Sequence, residues 1–118
     1  MVWHPPPFSH WLISFLKTLV VEIPIYVFFA RRTVPWRRAA LAALVCTVVT
    51  HPALWYLWPH VTDDFRVYII TGEVIVALVE SVVFYFLARP IRFSLALSAS
   101  FIANAASYGF WALIKHLF

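Results

Sequence analysis

Four long apolar stretches fill most of this 118-residue chain, and only short polar segments separate them. They run about Ser9 to Ala30, Ala39 to Trp58, Val67 to Ala88 and Phe93 to Leu117. Each is near the roughly 20 residues an α-helix needs to cross a bilayer. The connections RRTVPWRR, PHVTDDFR and RPIR leave no room for a soluble domain. Short connections also turn each helix antiparallel to the one before it. The expected fold is all-α and integral to the membrane, with four antiparallel transmembrane helices in one domain over residues 1–118. Composition agrees: 12% of residues are charged, about half the usual soluble fraction, and mean hydropathy is +0.86. Two glycines stand against eight prolines, and no short alternating segments occur, which disfavours a β-barrel. The single cysteine, Cys46, excludes an internal disulfide and any multi-cysteine metal site. It reads as a small apolar core residue.

Charge placement sets the expected topology. Arg31, Arg32, Arg37 and Arg38 cluster in the first connection, and Arg89 and Arg92 flank the third. Both follow odd-numbered helices, so they share one side, which the positive-inside rule assigns to the cytoplasm. The HVTDDF turn and both termini then face outward, with Arg66 and Lys115 as dissenting charges. This topogenic reading is preferred to headgroup recognition, and no soluble basic face exists for nucleic acid. The first residues, MVWHPPPFSH, carry no positive region, so the first apolar run is expected to be a retained helix rather than a signal peptide. A bacterial inner (plasma) membrane is the expected location. Trp3, Trp11, Trp36, Trp55, Tyr56 and Trp58 fall near helix ends, as an aromatic belt requires. Trp55 and Trp111 are also candidates for lining an internal cavity.

Against this background the ionisable residues inside the apolar stretches stand out. Glu73 and Glu80 are seven residues apart, two helical turns, and therefore share a face. Glu22 and His51 sit inside the first and second stretches. A carboxylate at such depth costs at least a few kcal/mol unless it is protonated, paired or hydrated. Ser14, Thr18, Glu22 and Tyr26 make one polar stripe at four-residue spacing. Thr47, Thr50, His51 and Trp55 make a second, and Ser100, Asn104, Ser107, Tyr108 and Trp111 a third. Ala96, Ala99, Ala103 and Ala106 allow close helix approach. Counting from the outer end, His51 and Glu73 fall roughly 9 to 12 Å deep, and Glu22, Glu80 and Asn104 roughly 17 to 20 Å deep. Two carboxyls at one depth in a low dielectric share a proton or hold a cation between them. The expected proton or cation site is therefore Glu22, Glu80 and Asn104, approached through Glu73 and His51. His51 is able to change charge near neutral pH. Thr18, Thr50, Ser100 and Ser107 are its supporting polar residues. The alternative is a hydrogen-bonded pair that only fastens helices.

Pro24 and Pro52 lie inside helices beside Glu22 and His51, where a freed carbonyl one turn back can bind a proton, cation or water. Glu22, His51, Glu73 and Glu80 are the only deep metal-type ligands, and no HExxH, Glu-x-x-His or cysteine pair occurs. His4, His10, His60 and His116 lie near the outer surface. With one deep histidine a bis-histidine haem is not expected, and no glycine-rich nucleotide loop is present. No nucleophile–base spacing is legible, so no enzyme is expected. In size, helix count and a first-helix glutamate, Glu22, the chain resembles the small multidrug resistance transporters. It departs from them in its poverty of glycine and its firm charge bias. The expected function is proton or cation binding or movement, as a small proton-coupled transporter or channel. The alternative is a non-catalytic accessory or assembly subunit. A chain this small is expected to act as a homo-oligomer or within a larger membrane complex.

Overall fold

The computed structural model describes residues 8–56 and 65–117. Trp3, His4, Pro5–Pro7, Trp58, Pro59, His60 and the Asp63–Asp64 turn lie outside those residues, as do the side chains of His10, Trp55, Tyr56, Arg66, Trp111, Lys115 and His116. The described residues form four α-helices and no strand: α1 (Phe8–Ala30), α2 (Trp36–Tyr56), α3 (Phe65–Leu87) and α4 (Phe93–Leu117). Each helix packs on two neighbours, in the cyclic order α1, α2, α3, α4, and the diagonal pairs do not pack backbone to backbone among the described residues. Helix α2 meets α3 in reverse order, Arg38 at Leu87 and Thr50 at Glu80, so these two run antiparallel.

Local chemistry explains the turns. The Ala30 carbonyl accepts from the Thr33 and Val34 amides and the Thr33 hydroxyl, closing α1. Pro35 supplies the carbonyl that accepts the first bond of α2, from the Ala39 amide at 3.0 Å. A helix can begin directly after such a residue because the first amides need no partner within the helix. Trp36, Arg37 and Arg38 therefore form the first turn of α2, which begins three residues before the Ala39 expected from hydropathy. The Arg92 carbonyl starts α4 in the same way, accepting from the Leu95 and Ala96 amides. The Arg89–Pro90 peptide bond is cis.

The interior is built from small residues. Ala39, Ala42, Ala43 and Cys46 of α2 pack with Ala96, Ala99 and Ala103 of α4, Phe84 of α3 and Ala88 just beyond it, and Tyr26 and Ala30 of α1. Large apolar side chains face outward from every helix, including Val20 at 70% exposure, Leu41 at 62%, Ile70 at 64% and Leu113 at 58%. Buried positions hold Glu22, Thr47, Thr50, His51, Glu80, Ser81, Ser100 and Asn104. That distribution inverts the usual arrangement of a water-soluble bundle, in which the apolar stripe faces the core.

Two helices, over Trp11–Ala30 and Ile70–Leu87, are long and apolar enough to cross a membrane. Helices α2 and α4 are long enough but less apolar. Arg37, Arg38 and several alanines and threonines dilute α2, and serines, alanines and Asn104 dilute α4. Among the described residues, then, two of the four expected spans qualify by length and composition.

Candidate functional site

Glu80 is the centre of the bundle's polar layer. It lies on the inward stripe of α3, one turn from Ala77 and one from Phe84, and is 1% exposed. The small Ala77 leaves room beside it, while Phe84 stacks obliquely on the Tyr26 ring at 4.5 Å. Each of the other three helices sends one donor to this carboxyl. Tyr26 of α1 donates its hydroxyl to Oε1 at 2.7 Å. Asn104 of α4 donates Nδ2–H to the same oxygen at 3.2 Å. Thr50 of α2 donates its hydroxyl to Oε2.

The donors are themselves positioned. Asn104 uses its second Nδ2 hydrogen on the Ser100 carbonyl at 2.7 Å. Ser100 in turn donates to the Ala77 carbonyl at 2.6 Å, tying α4 to α3 one turn from Glu80. The Thr50 hydroxyl also lies 3.0 Å from the Cys46 carbonyl. A hydroxyl has one proton, so Thr50 divides it between the helix backbone and Glu80. Cys46 packs as a buried residue, its Sγ 3.5 Å from the Glu80 carbonyl.

Glu22 is the second buried carboxyl, 2% exposed and one turn before Tyr26 on α1. Its carboxyl lies near enough to that of Glu80 for the two to interact electrostatically. Thr47 approaches Glu22 Oε1 at 3.5 Å and bonds its own helix more closely, at the Ala43 carbonyl, 3.1 Å. Among the described residues the pair is thus unequal: three donors fix Glu80, whereas Glu22 accepts one long hydrogen bond, from Thr47. Diagonal helices that do not touch through their backbones meet here through side chains.

The remaining sequence-derived residues surround this layer without joining it directly. Glu73, half-buried, lines a groove of about 280 Å³ between α3 and α4 with Ile70, Val74, Phe101, Asn104 and Tyr108. Asn104 is therefore shared between the groove and the Glu80 network. His51 is 8% exposed and packs its ring against Phe15 at 5.6 Å and Trp11 at 6.1 Å, both on α1. Glu73 and His51, grouped by depth as one outer approach, thus face different walls of the bundle. Thr18 and Ser107 meet with Ser14, Lys17 and Phe110 between α1 and α4. Trp11, half-buried, stacks on Phe15 of its own helix at 5.1 Å. Among the described residues, no three His, Cys, Asp or Glu side chains converge as a metal site.

Tyr26 and Thr47 play a larger part than their places in the polar stripes imply. Tyr26 belonged to the α1 polar stripe, and only its long reach to a diagonal helix makes it a Glu80 partner. Thr47 shared a face with Thr50 and His51, and the four-residue rule carries it to the Glu22 level. The prolines take a smaller part. Pro24 is exposed, because two residues after buried Glu22 is about 200° around a helix. The helices run unbroken through Pro24 and Pro52.

The chain matches no family model, no curated protein and no solved structure.

Proposed function

We propose that this chain is a small multi-pass membrane protein whose helices surround a proton-handling carboxyl pair, Glu22 and Glu80. The observation that carries this reading is the convergence of Tyr26, Thr50 and Asn104, one from each other helix, on the buried Glu80 carboxyl. Ionisable groups buried in a membrane bundle mark proton and ion pathways more often than not. The donor set favours a proton over a metal cation. Hydroxyl and amide N–H groups already take three of the roughly four lone-pair sites of Glu80, whereas a cation needs acceptor oxygens.

Membrane embedding draws support from the outer surface. A soluble protein's apolar helix lies mostly buried, yet only 17% of Trp11–Ala30 and 28% of Ile70–Leu87 is buried within the bundle. Apolar exposure on this scale requires lipid or a partner. In the proposed topology all four helices span the membrane, with the arginine turns cytoplasmic. Helices α2 and α4, less apolar by composition, cross with their alanine and serine faces turned inward.

In the proposed mechanism Glu22 and Glu80 share one proton. Glu80 is the fixed partner and Glu22, lightly held, is the carboxyl free to turn toward an entry route. Thr50 shifts its hydroxyl proton between Glu80 and the Cys46 carbonyl as the pair changes state. The test is proton flux into liposomes that trap a pH dye, comparing wild type with Glu80→Gln. Flux that depends on Glu80 supports a proton-coupled transporter or channel. Absence of flux in the wild type contradicts it.

A second reading draws on the same network. Four helices tied to one carboxyl make a lock, and the apolar outer faces suit packing in a larger assembly. On that reading the chain is an accessory or assembly subunit, and Glu80→Gln reduces co-purification with fixed partners rather than flux.

A further inference from the structure

Six guanidinium groups gather at one end of the bundle. Arg31, Arg32, Arg37, Arg38, Arg89 and Arg92 are all exposed. Arg38 of α2 donates Nε–H to the Leu87 carbonyl at the end of α3, at 3.2 Å, which places both arginine-bearing turns side by side. Arg31 donates to the Phe28 carbonyl at 2.7 Å near the end of α1. These bonds use one of five N–H donors on each group.

No acidic side chain belongs to this end. The chain has five: Glu22, Asp63, Asp64, Glu73 and Glu80. Asp63 and Asp64 lie in the α2–α3 connection. Glu22 and Glu80 are each nine residues from the nearest arginine of the cluster, about 13 Å along a helix, and are buried in the bundle. The cluster therefore carries a concentrated positive charge that anions from outside the chain can neutralise.

Its surroundings identify the anion. Phe28, Trp36, Phe86 and Phe93 are exposed beside the arginines. Arg31 lies 4.0 Å over the Phe28 ring, Arg37 5.4 Å over Trp36 and Arg89 5.4 Å over Tyr85. A charged rim directly above an apolar, aromatic wall is the profile of a headgroup boundary. A soluble acidic partner would meet the rim and leave the wall exposed. Orientation by positive charge alone is served by lysine as well as arginine, yet both lysines, Lys17 and Lys115, lie outside the cluster. Arginine's planar fork matches phosphate oxygens two at a time.

We propose that this rim is a binding site for anionic phospholipid headgroups, whose phosphates bridge the α1–α2 and α3–α4 turns. The inference rests on the membrane reading above, but not on proton movement. The experiment is calorimetric titration of the purified chain in nonionic micelles with short-chain phosphatidylglycerol, phosphatidylcholine of equal chain length, and inorganic phosphate. The variant is Arg32→Gln with Arg92→Gln, one from each turn. Neither side chain makes a hydrogen bond or ring contact among the described residues. Phosphatidylglycerol is expected to bind at least about tenfold more tightly than phosphatidylcholine, and the double variant to lose about tenfold or more. Lys17→Gln is expected to bind as wild type. Equal affinity for the two lipids, equal affinity for inorganic phosphate, or an unchanged double variant overturns the proposal. If the double variant misfolds, salt decides: phosphatidylglycerol binding by the wild type that ignores added salt overturns it. Proton flux plays no part in these readouts, so loss of lipid preference leaves the Glu80 proposal standing, and absence of flux leaves this one standing.

Discussion

A carboxyl that accepts three side-chain hydrogen bonds responds very differently to loss of an acceptor and loss of a donor. Glu80→Ala would strand the Tyr26 hydroxyl and one Asn104 N–H together, Thr50 keeping the Cys46 carbonyl as acceptor, and each unsatisfied buried group costs about 1–3 kcal/mol. Tyr26→Phe would remove one donor and leave the carboxyl two others, so its cost is expected near 1 kcal/mol, the scale of hydrogen bonds inside membrane bundles. Equilibrium unfolding in mixed micelles checks both values, and a Glu80→Ala cost no larger than that of Tyr26→Phe would contradict the network. Asn104→Ala and Tyr26→Phe act on the same oxygen, Glu80 Oε1. Their combined cost is expected to depart from the sum by about 0.5 kcal/mol or more, which a double-mutant cycle measures. Exact additivity would mean that the two donors act independently.

At the scale of the helix, small residues decide how closely elements approach. Ala43 of α2 and Ala99 of α4 are both fully buried, so Leu at either position must push helices apart. A destabilisation of about 1–3 kcal/mol is expected for Ala99→Leu, against near-neutral behaviour for the exposed Val48→Leu. Unfolding midpoints compare the two directly. Pro24→Ala is expected to leave proton flux unchanged, since the ring faces outward while Glu22 faces the axis. A flux defect in Pro24→Ala would restore the proline to the mechanism. Much at this scale was legible in the sequence. Apolar run length located the helices, and depth counted from the outer end at about 1.5 Å per residue put Glu22, Glu80 and Asn104 at one level. Spacing cannot show how far a side chain reaches across an axis. Tyr26 was therefore visible as a member of a stripe, not as a Glu80 partner. Depth cannot distinguish walls of equal height, so Glu73 and His51 were grouped although one lines the α3–α4 groove and the other packs on α1 aromatics. The start of α2 moved to Trp36 because a proline cap admits charged residues into a first turn that hydropathy alone excludes.

At the scale of the whole molecule, three layers follow one another along the bundle: an arginine rim, an alanine-packed section, and the polar layer around Glu80. Large apolar side chains sheathe them from outside. In the proposed mechanism a proton is held between Glu22 and Glu80 inside a membrane. Infrared difference spectroscopy of the protein in lipid, stepped through pH, reads that proton as the carbonyl stretch of a protonated carboxyl. Such a band is expected in the wild type, with a component of it altered by Glu22→Gln or Glu80→Gln alone and lost when both are changed, leaving only the components of Glu73 and the aspartates. An identical band in the double variant, or none in the wild type at any pH, would contradict the mechanism.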